Sequence, residues 1–535
     1  MLYKHFSGTV SKAIKTIDWK LLLFMVLFLN VKLVIKLAAI LLIYVLQWNF
    51  NFGFRLHKSR LPVFYVIVTG IAIFNRIIIG GFSPLNYTIA VLTAVFFWSL
   101  SILAMHQVKL SVEQNPPSVI HKTITVFFIL NAMVSLAVLI AIVFKTGAIN
   151  PYLYQGEYQK YFIGTGDYIR GISFDTSTTN AVLNGFGVIY FLIRKKPLMV
   201  MLTMSVMLLT GSNITNLLLG CVLLLIFIFQ SNKDQKSLIV LCFLMLVLFL
   251  SKVSPQNNNY VTGFFKHYFK IQNEKKSETS LIPLRERPDS LLSPEEKKEK
   301  IATLYLDSLY RLRNKNVFQK TSFIQKLELP SEDIHSAPYQ RESMVTPVEK
   351  KMLRFIRVHS SQLPLSSDSV YTSPLPGKII AMDQTLNFLK RDPLKIISGT
   401  GAGNFSSKLA FRTTGLNIAG GYPKNFIYLS PAFLSNHLDL YLNYFTKEDG
   451  AHSIVNNPNS VYDQLLSEYG LLGLGAFFIF YAGFFIKRYK NLSYGIPLLV
   501  FLSAIFMVDY WFEQLSIAVF FELLLFLNLK EEVQK

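Results

Sequence analysis

Apolar stretches long enough to cross a membrane recur along this chain, and that recurrence constrains its fold more than any other feature. A spanning helix needs about 20 mostly apolar residues, and soluble cores do not hold many such runs in series. The runs fall at 18–33, 35–50, 61–80, 86–105, 122–144, 178–193, 197–211, 213–230, 236–252, 461–486, 494–509 and 511–529. They predict an all-α integral membrane protein with about twelve transmembrane helices, the first two short enough to form a tilted hairpin. Lys4, Lys12, Lys15 and Lys20 precede the apolar stretch Leu21–Leu29, and Asn30, Lys32 and Lys36 follow it with no small-residue cleavage site, so it reads as an uncleaved first helix. Composition agrees: 52% of the 535 residues are hydrophobic and 16% charged, against about 25% charged in an average soluble protein. A soluble enzyme, a disordered chain and a fibrous chain are excluded. Cys221 and Cys242 both sit inside apolar runs, which excludes a disulfide framework and a Cys-rich zinc site.

Lys and Arg cluster in alternate short loops: Arg55/Lys58/Arg60, Lys109/Lys122, Arg194–Lys196, Lys233/Lys236, Lys487–Lys490 and near Lys530. By the positive-inside rule both termini are then cytoplasmic, and 81–85, 145–177 and 253–460 lie outside. The chain divides into helices one to nine (1–252), a large external loop (253–460) and helices ten to twelve (461–535). The loop carries about +8 net charge. Its first part, 253–376, is charge-rich and Pro/Ser-punctuated. Within it Ser293-Pro-Glu-Glu296 is a capping box opening a helix to about Asn314, which packs on its own subdomain or lies on a lipid surface. Its second part, 377–460, is Gly- and aromatic-rich. The whole chain has 53 Lys+Arg against 32 Asp+Glu, net +21. That excess fits cytoplasmic anchoring loops and an anionic lipid-linked substrate, and no nucleic-acid partner is expected.

Three segments carry residues suited to chemistry. Gly399-Thr-Gly401-Ala-Gly403-Asn404-Phe405 is a Gly-rich turn running into a helix-compatible stretch that reaches Arg412. Backbone N–H groups in such a turn make an anion site, so it is either a plain structural turn or a phosphate or sugar subsite. Tyr168-Ile-Arg170-Gly171 leads to Asp175 and Asn180 at the outer mouth of the sixth span. Arg170 is either an interfacial anchor or a guanidinium that clamps phosphate. In the third segment Asn456, Asn459/Ser460, Asp463 and Ser467 recur at helical spacing at the entrance to the tenth span. Glu468 follows, roughly 10 Å deeper than Val461 by helical rise. A carboxyl group at that depth must face a cavity or a partner, in a structural or a chemical role. Gly470 and Gly473 suit close helix packing.

Asn459-Ser460, nine residues, then Gly470-Leu-Leu-Gly473 resembles the signature of the O-antigen ligase and O-antigen polymerase superfamily. Arg170-Gly171 with Asn180-Ala181 is similar to a second motif of that family, with tighter spacing and no Pro, and Gly399–Phe405 to a third. The resemblance covers about 140–487 and leaves 253–376 outside it. It implies a GT-C-like, all-helical membrane glycosyltransferase in a bacterial cytoplasmic (inner) membrane. Such an enzyme takes glycan from a polyprenyl-pyrophosphate donor and passes it to a lipid or glycan acceptor, among other polysaccharide-assembly proteins. Two departures stand out. Asn459 occupies the place of the ligases' His and cannot act as a base, and Leu209-Thr-Gly-Ser212 lacks the usual following Arg.

On this basis the diphosphate and sugar are expected at Arg170, Asn180, Gly399, Gly401, Gly403, Asn404 and Arg412. His452, Asp463 and Glu468 are the candidate bases, beside Asn459, and His452 is either a substitute for the missing His or incidental. No metal-ligand cluster is visible, so neither metal nor cofactor is expected. The alternatives are a transporter or flippase for lipid-linked oligosaccharide, which would favour inverted repeats that are not apparent here, and a non-catalytic assembly protein.

Overall fold

The computed structural model describes residues 17–55, 58–79, 85–154, 158, 163–255, 347–359, 375–418, 420–444, 454, 456–487, 489 and 492–533. His452 and the helix expected over 294–314 lie outside these residues. All regular structure among the described residues is helical. Helices α1 (Trp19–Phe28) to α9 (Lys233–Leu248) make up the first half: α2 (Leu33–Leu46), α3 (Phe64–Ile79), α4 (Leu85–Gln114), α5 (Pro117–Thr146), α6 (Ser177–Ile193), α7 (Pro197–Leu209) and α8 (Asn213–Phe229) lie between them. Then come α10 (Pro347–His359), α11 (Gly377–Arg391), α12 (Pro393–Ser398), α13 (Lys408–Thr413), α14 (Pro431–Asn436) and α15 (Leu438–Tyr444). The chain closes with α16 (Val461–Ala476), α17 (Gly495–Ile505), α18 (Trp511–Gln514) and α19 (Ser516–Val533).

Four helical stretches are long and apolar enough to cross a membrane: Leu85–Gln114, Pro117–Thr146, Lys233–Val253 and Val461–Ile486. Seven more apolar helices have 10–17 residues. Their ends follow local chemistry. Pro117 and Pro197 occupy first-turn positions, where a missing N–H costs nothing. Asn232 and Gln235 form a reciprocal capping box at α9. The run expected as one helix over 511–529 is broken instead, because Leu515 has φ +68° and separates α18 from α19.

Every residue of α19 from Ile517 to Leu529 is buried. A helix that is apolar all round belongs at the centre of a bundle, and α19 packs against α4, α5, α6 and α17. A second, smaller core of Met352, Phe411, Phe433, Leu438, Tyr441 and Tyr510 joins α10 and α13–α15 to the 506–515 connection. Against the first core, α11 and α12 pack on α16. The loop helices are thereby seated on the segment that carries Asp463 and Glu468.

Candidate functional site

The Gly-rich turn and the kink of α16 are one interlocked object. Gly399 (φ +81°, ψ −175°) and Gly470 (φ +67°, ψ −165°) both adopt a backbone conformation that is essentially reserved for glycine. A Cβ on Gly399 would lie 2.3 Å from the backbone of Glu468, and one on Gly470 would lie 2.3 Å from the carbonyl oxygen of Ile397. The close approach lets Thr400 N–H donate to the Ser467 carbonyl (2.9 Å) and Gly401 N–H to the Glu468 carbonyl (3.0 Å). The turn then closes around the Glu468 side chain. Gly403 N–H donates to Oε2 (2.8 Å), and Phe405 N–H (3.1 Å) and Ser407 N–H (3.0 Å) donate to Oε1. The turn does bind an anion, as its chemistry suggests, but the anion is the protein's own carboxylate. The N–H groups of Gly399, Gly401 and Gly403 are all used within the protein, which leaves them none for a substrate phosphate. Asn404 likewise donates to the Thr400 carbonyl and accepts from Tyr428.

The rest of the α16 stripe also faces protein. Asp463 is buried, accepts from the Thr385 hydroxyl (2.6 Å) and lies 3.1 Å from His437 Nε2. His437 Nδ1 is buried without a hydrogen-bond partner, and its ring sits 4.7 Å from that of Phe405. Asn459 accepts from Tyr441 OH (2.9 Å) and donates to Asp509 (3.1 Å), while Tyr441 OH also meets Tyr510 OH. Lys378 Nζ donates to the carbonyls of Asn459 (2.6 Å) and Val508 (2.8 Å), fastening α11 to both ends of this network. Burial pushes the Lys378 amine down to about 7, with Asp509 and Asp463 pulling the other way.

The segment before α6 divides. Asn180 is fully buried. It donates to the Ile169 carbonyl (2.9 Å) and accepts from Asn131 and Asn184 (2.9 Å each), so it holds the 169–172 turn. Gly171 has φ +59°, and a Cβ there would strike Asn131 and Asn180. The Arg170 guanidinium is exposed, donates to the Asp167 carbonyl (3.1 Å) and covers Tyr168. It is not among the residues lining the cavity described next; Asp175, five residues on, is.

That cavity has a volume of about 570 Å³, within the range of small-molecule sites. Its apolar lining comes from Ile89, Leu92, Phe96 and Phe97 of α4 with Val31 and Leu33. The same lining carries Lys36, Lys408 and Arg412 together with the carboxylates Asp175 and Glu513. Lys408 and Arg412 are i, i+4 on α13, hence on one face. The Ser407 hydroxyl caps this helix by accepting from Ala410 N–H (3.0 Å), so the chain that encloses Glu468 also aims the two cations. Lys36 is only 3% exposed; its ammonium donates to the Phe28 carbonyl (2.6 Å) and Ser516 Oγ (2.8 Å). Burial raises the Asp175 carboxyl above the usual range, and Lys408, Thr179 and Lys36 oppose the shift. Glu513 Oε1 accepts from Gln464 Nε2 (2.9 Å) and Leu409 N–H (3.4 Å), whereas Oε2 is buried without a hydrogen-bond partner.

Of the expected catalytic and substrate-binding residues, Arg412 alone is among those lining this cavity; Asp463, Glu468, Asn459, Asn180 and the turn are not. Lys36, Asp175, Lys408 and Glu513 also line it, and none of them is among the expected catalytic or substrate-binding residues. For Lys36, Asp175 and Glu513 the sequence signal is an ionisable group within or beside an apolar run, whereas Lys408 lies in the external loop without that signal. Among the described residues no group of three or more His, Cys, Asp or Glu side chains is placed to hold a metal ion. A comparison with family models, curated proteins and solved structures returns no match.

Proposed function

We propose that the chain is a membrane glycosyltransferase of the O-antigen ligase/polymerase type, and that the cavity between α4 and α13 receives its polyprenyl-pyrophosphate-linked donor. One observation carries this reading: the lining of a single cavity combines apolar side chains suited to a lipid chain, Ile89, Leu92, Phe96 and Phe97, with the cations Lys408 and Arg412 suited to a diphosphate and the buried Lys36. Cationic side chains stabilise the charge that develops on a leaving diphosphate, and a partly desolvated site strengthens that attraction. On this reading the shorter apolar helices join the four long ones to give about twelve spans in a GT-C-like arrangement. α11–α15 lie on the outer side of a bacterial cytoplasmic membrane, and both termini face the cytoplasm. The sequence resemblance supports the same assignment.

The test is glycan transfer by purified protein from polyprenyl-pyrophosphate-linked oligosaccharide, together with binding of farnesyl pyrophosphate. The double variant Lys408→Ala/Arg412→Ala is expected to weaken farnesyl pyrophosphate binding by about 100-fold or more, taking each charge-assisted contact at about 1.5–3 kcal/mol. Arg170→Ala is expected to bind and transfer as the wild type does. Wild-type protein that neither binds the diphosphate nor transfers glycan would overturn the proposal.

A further inference from the structure

We propose that Glu513 is the base that takes the proton from the acceptor hydroxyl. The inference rests on the reading of the cavity as the donor site and adds to it the residue that acts on the second substrate.

The carboxylates near the site differ in what surrounds them. Glu468 is enclosed by three backbone N–H groups. Asp463 is held between Thr385 and His437, and neither Asp463 nor Glu468 lines the large cavity. Asp175 does line it, and both carboxylates lie near cations, Asp175 near Lys408 and Lys36 and Glu513 near Arg412 and Lys408; Asp175 differs in accepting from the Thr179 hydroxyl (3.0 Å). Glu513 has the arrangement a base needs. One oxygen is fixed by Gln464 and Leu409 N–H, which orients the carboxylate. The other oxygen has no hydrogen-bond partner. The residue lines the same cavity as Lys408 and Arg412.

The backbone supports this placement. Leu515 has φ +68° and ψ −33°, a sparsely populated conformation that costs a non-glycine residue roughly 1–3 kcal/mol. The strained residue ends α18 directly after Glu513 and Gln514, so the carboxylate sits at a helix break and not along a continuous span. Strain of this kind gathers where a side chain must be aimed.

The step balances without a further reactant. The acceptor O–H bond breaks and its proton goes to Glu513. The acceptor oxygen bonds to the anomeric carbon of the donor sugar. The bond from that carbon to the diphosphate oxygen breaks, and its electron pair leaves with the polyprenyl diphosphate beside Lys408 and Arg412. Glu513 then returns its proton to water.

The experiment uses the full chain in lipid nanodiscs, with Glu513→Gln, Glu513→Asp and Asp175→Asn, and reads transfer kinetics across pH and farnesyl pyrophosphate binding. Glu513→Gln is expected to bind farnesyl pyrophosphate as tightly as wild type or tighter, because it removes a negative charge. Its kcat is expected to fall by about 100-fold or more, the usual contribution of general base catalysis. The acid limb of its kcat/KM profile is expected to vanish, and Glu513→Asp to restore part of the rate together with that limb. Asp175→Asn is expected to alter donor KM more than kcat. The inference is overturned if Glu513→Gln keeps the wild-type kcat and pH profile, or if Asp175→Asn and not Glu513→Gln removes the acid limb. In either case wild-type transfer leaves the glycosyltransferase reading standing; absence of wild-type transfer and of diphosphate binding removes both.

Discussion

Glu468→Gln separates a structural carboxylate from a chemical one. The native side chain accepts two N–H groups on Oε1 and one on Oε2. Glutamine offers one acceptor oxygen. With that oxygen in the Oε1 position it keeps Phe405 and Ser407, and its NH₂ then confronts the Gly403 N–H. One charge-assisted bond is lost, about 2 kcal/mol, and the remaining two weaken by about 1 kcal/mol each as the acceptor loses its charge. Removing a buried charge returns part of that total, so the expected net loss is about 3 kcal/mol. The assay is unfolding of the solubilised protein by titration with sodium dodecyl sulfate, followed by circular dichroism. Farnesyl pyrophosphate binding should weaken in parallel, because Ser407, which loses strength in its contact, caps the helix bearing Lys408 and Arg412. A variant as stable as wild type but unable to transfer glycan would refute the reasoning and return Glu468 to the list of candidate bases.

Two further outcomes follow from the same geometry. Gly399→Ala places a methyl group 2.3 Å from the Glu468 backbone at φ +81°, so it is expected to lose more stability than Glu468→Gln, or to fail to accumulate as folded protein on a size-exclusion column. Lys378 is held to about 7 in the folded chain, against roughly 10.4 when unfolded. Between those values the unfolded chain binds the extra proton, so this residue makes stability rise with pH through that window; Lys378→Met should flatten the rise, and an unchanged slope in denaturation curves from pH 7 to pH 10 would exclude the assignment.

Much of the helical framework was legible in the sequence because apolar length is a one-dimensional signal. The expected runs at 86–105 and 122–144 sit inside the 30-residue helices α4 and α5, and α6 begins within a residue of its expected start. The break at Leu515 was not legible. Leucine favours helix, and nothing in Phe512-Glu-Gln-Leu515 signals a residue with positive φ; the side chain of Leu515 is buried in the main core. The shortness of α17 has the same origin, since the chain leaves the helix at Ile505 to supply carbonyls to Val461 N–H, the Trp511 indole and Lys378.

The polar stripe of α16 shows why the site itself was harder to read than the fold. Asn459, Asp463 and Ser467 at helical spacing state that one face of the helix meets polar groups, and they say nothing about whether those groups are substrate or protein. Here they are protein: Tyr441 and Asp509 for Asn459, Thr385 and His437 for Asp463, Ser406 for Ser467. A row of neutral and acidic side chains is easily satisfied by a loop folded over it, because backbone N–H groups and hydroxyls are plentiful there. Cations inside an apolar segment are different. Lys36 donates to the Phe28 carbonyl and to Ser516 Oγ and shares the cavity lining with Asp175, so a basic residue is held inside an apolar segment at a cost. The informative residues were therefore the isolated charges at the edges of apolar runs, Lys36 and Glu513, and not the denser motif between them.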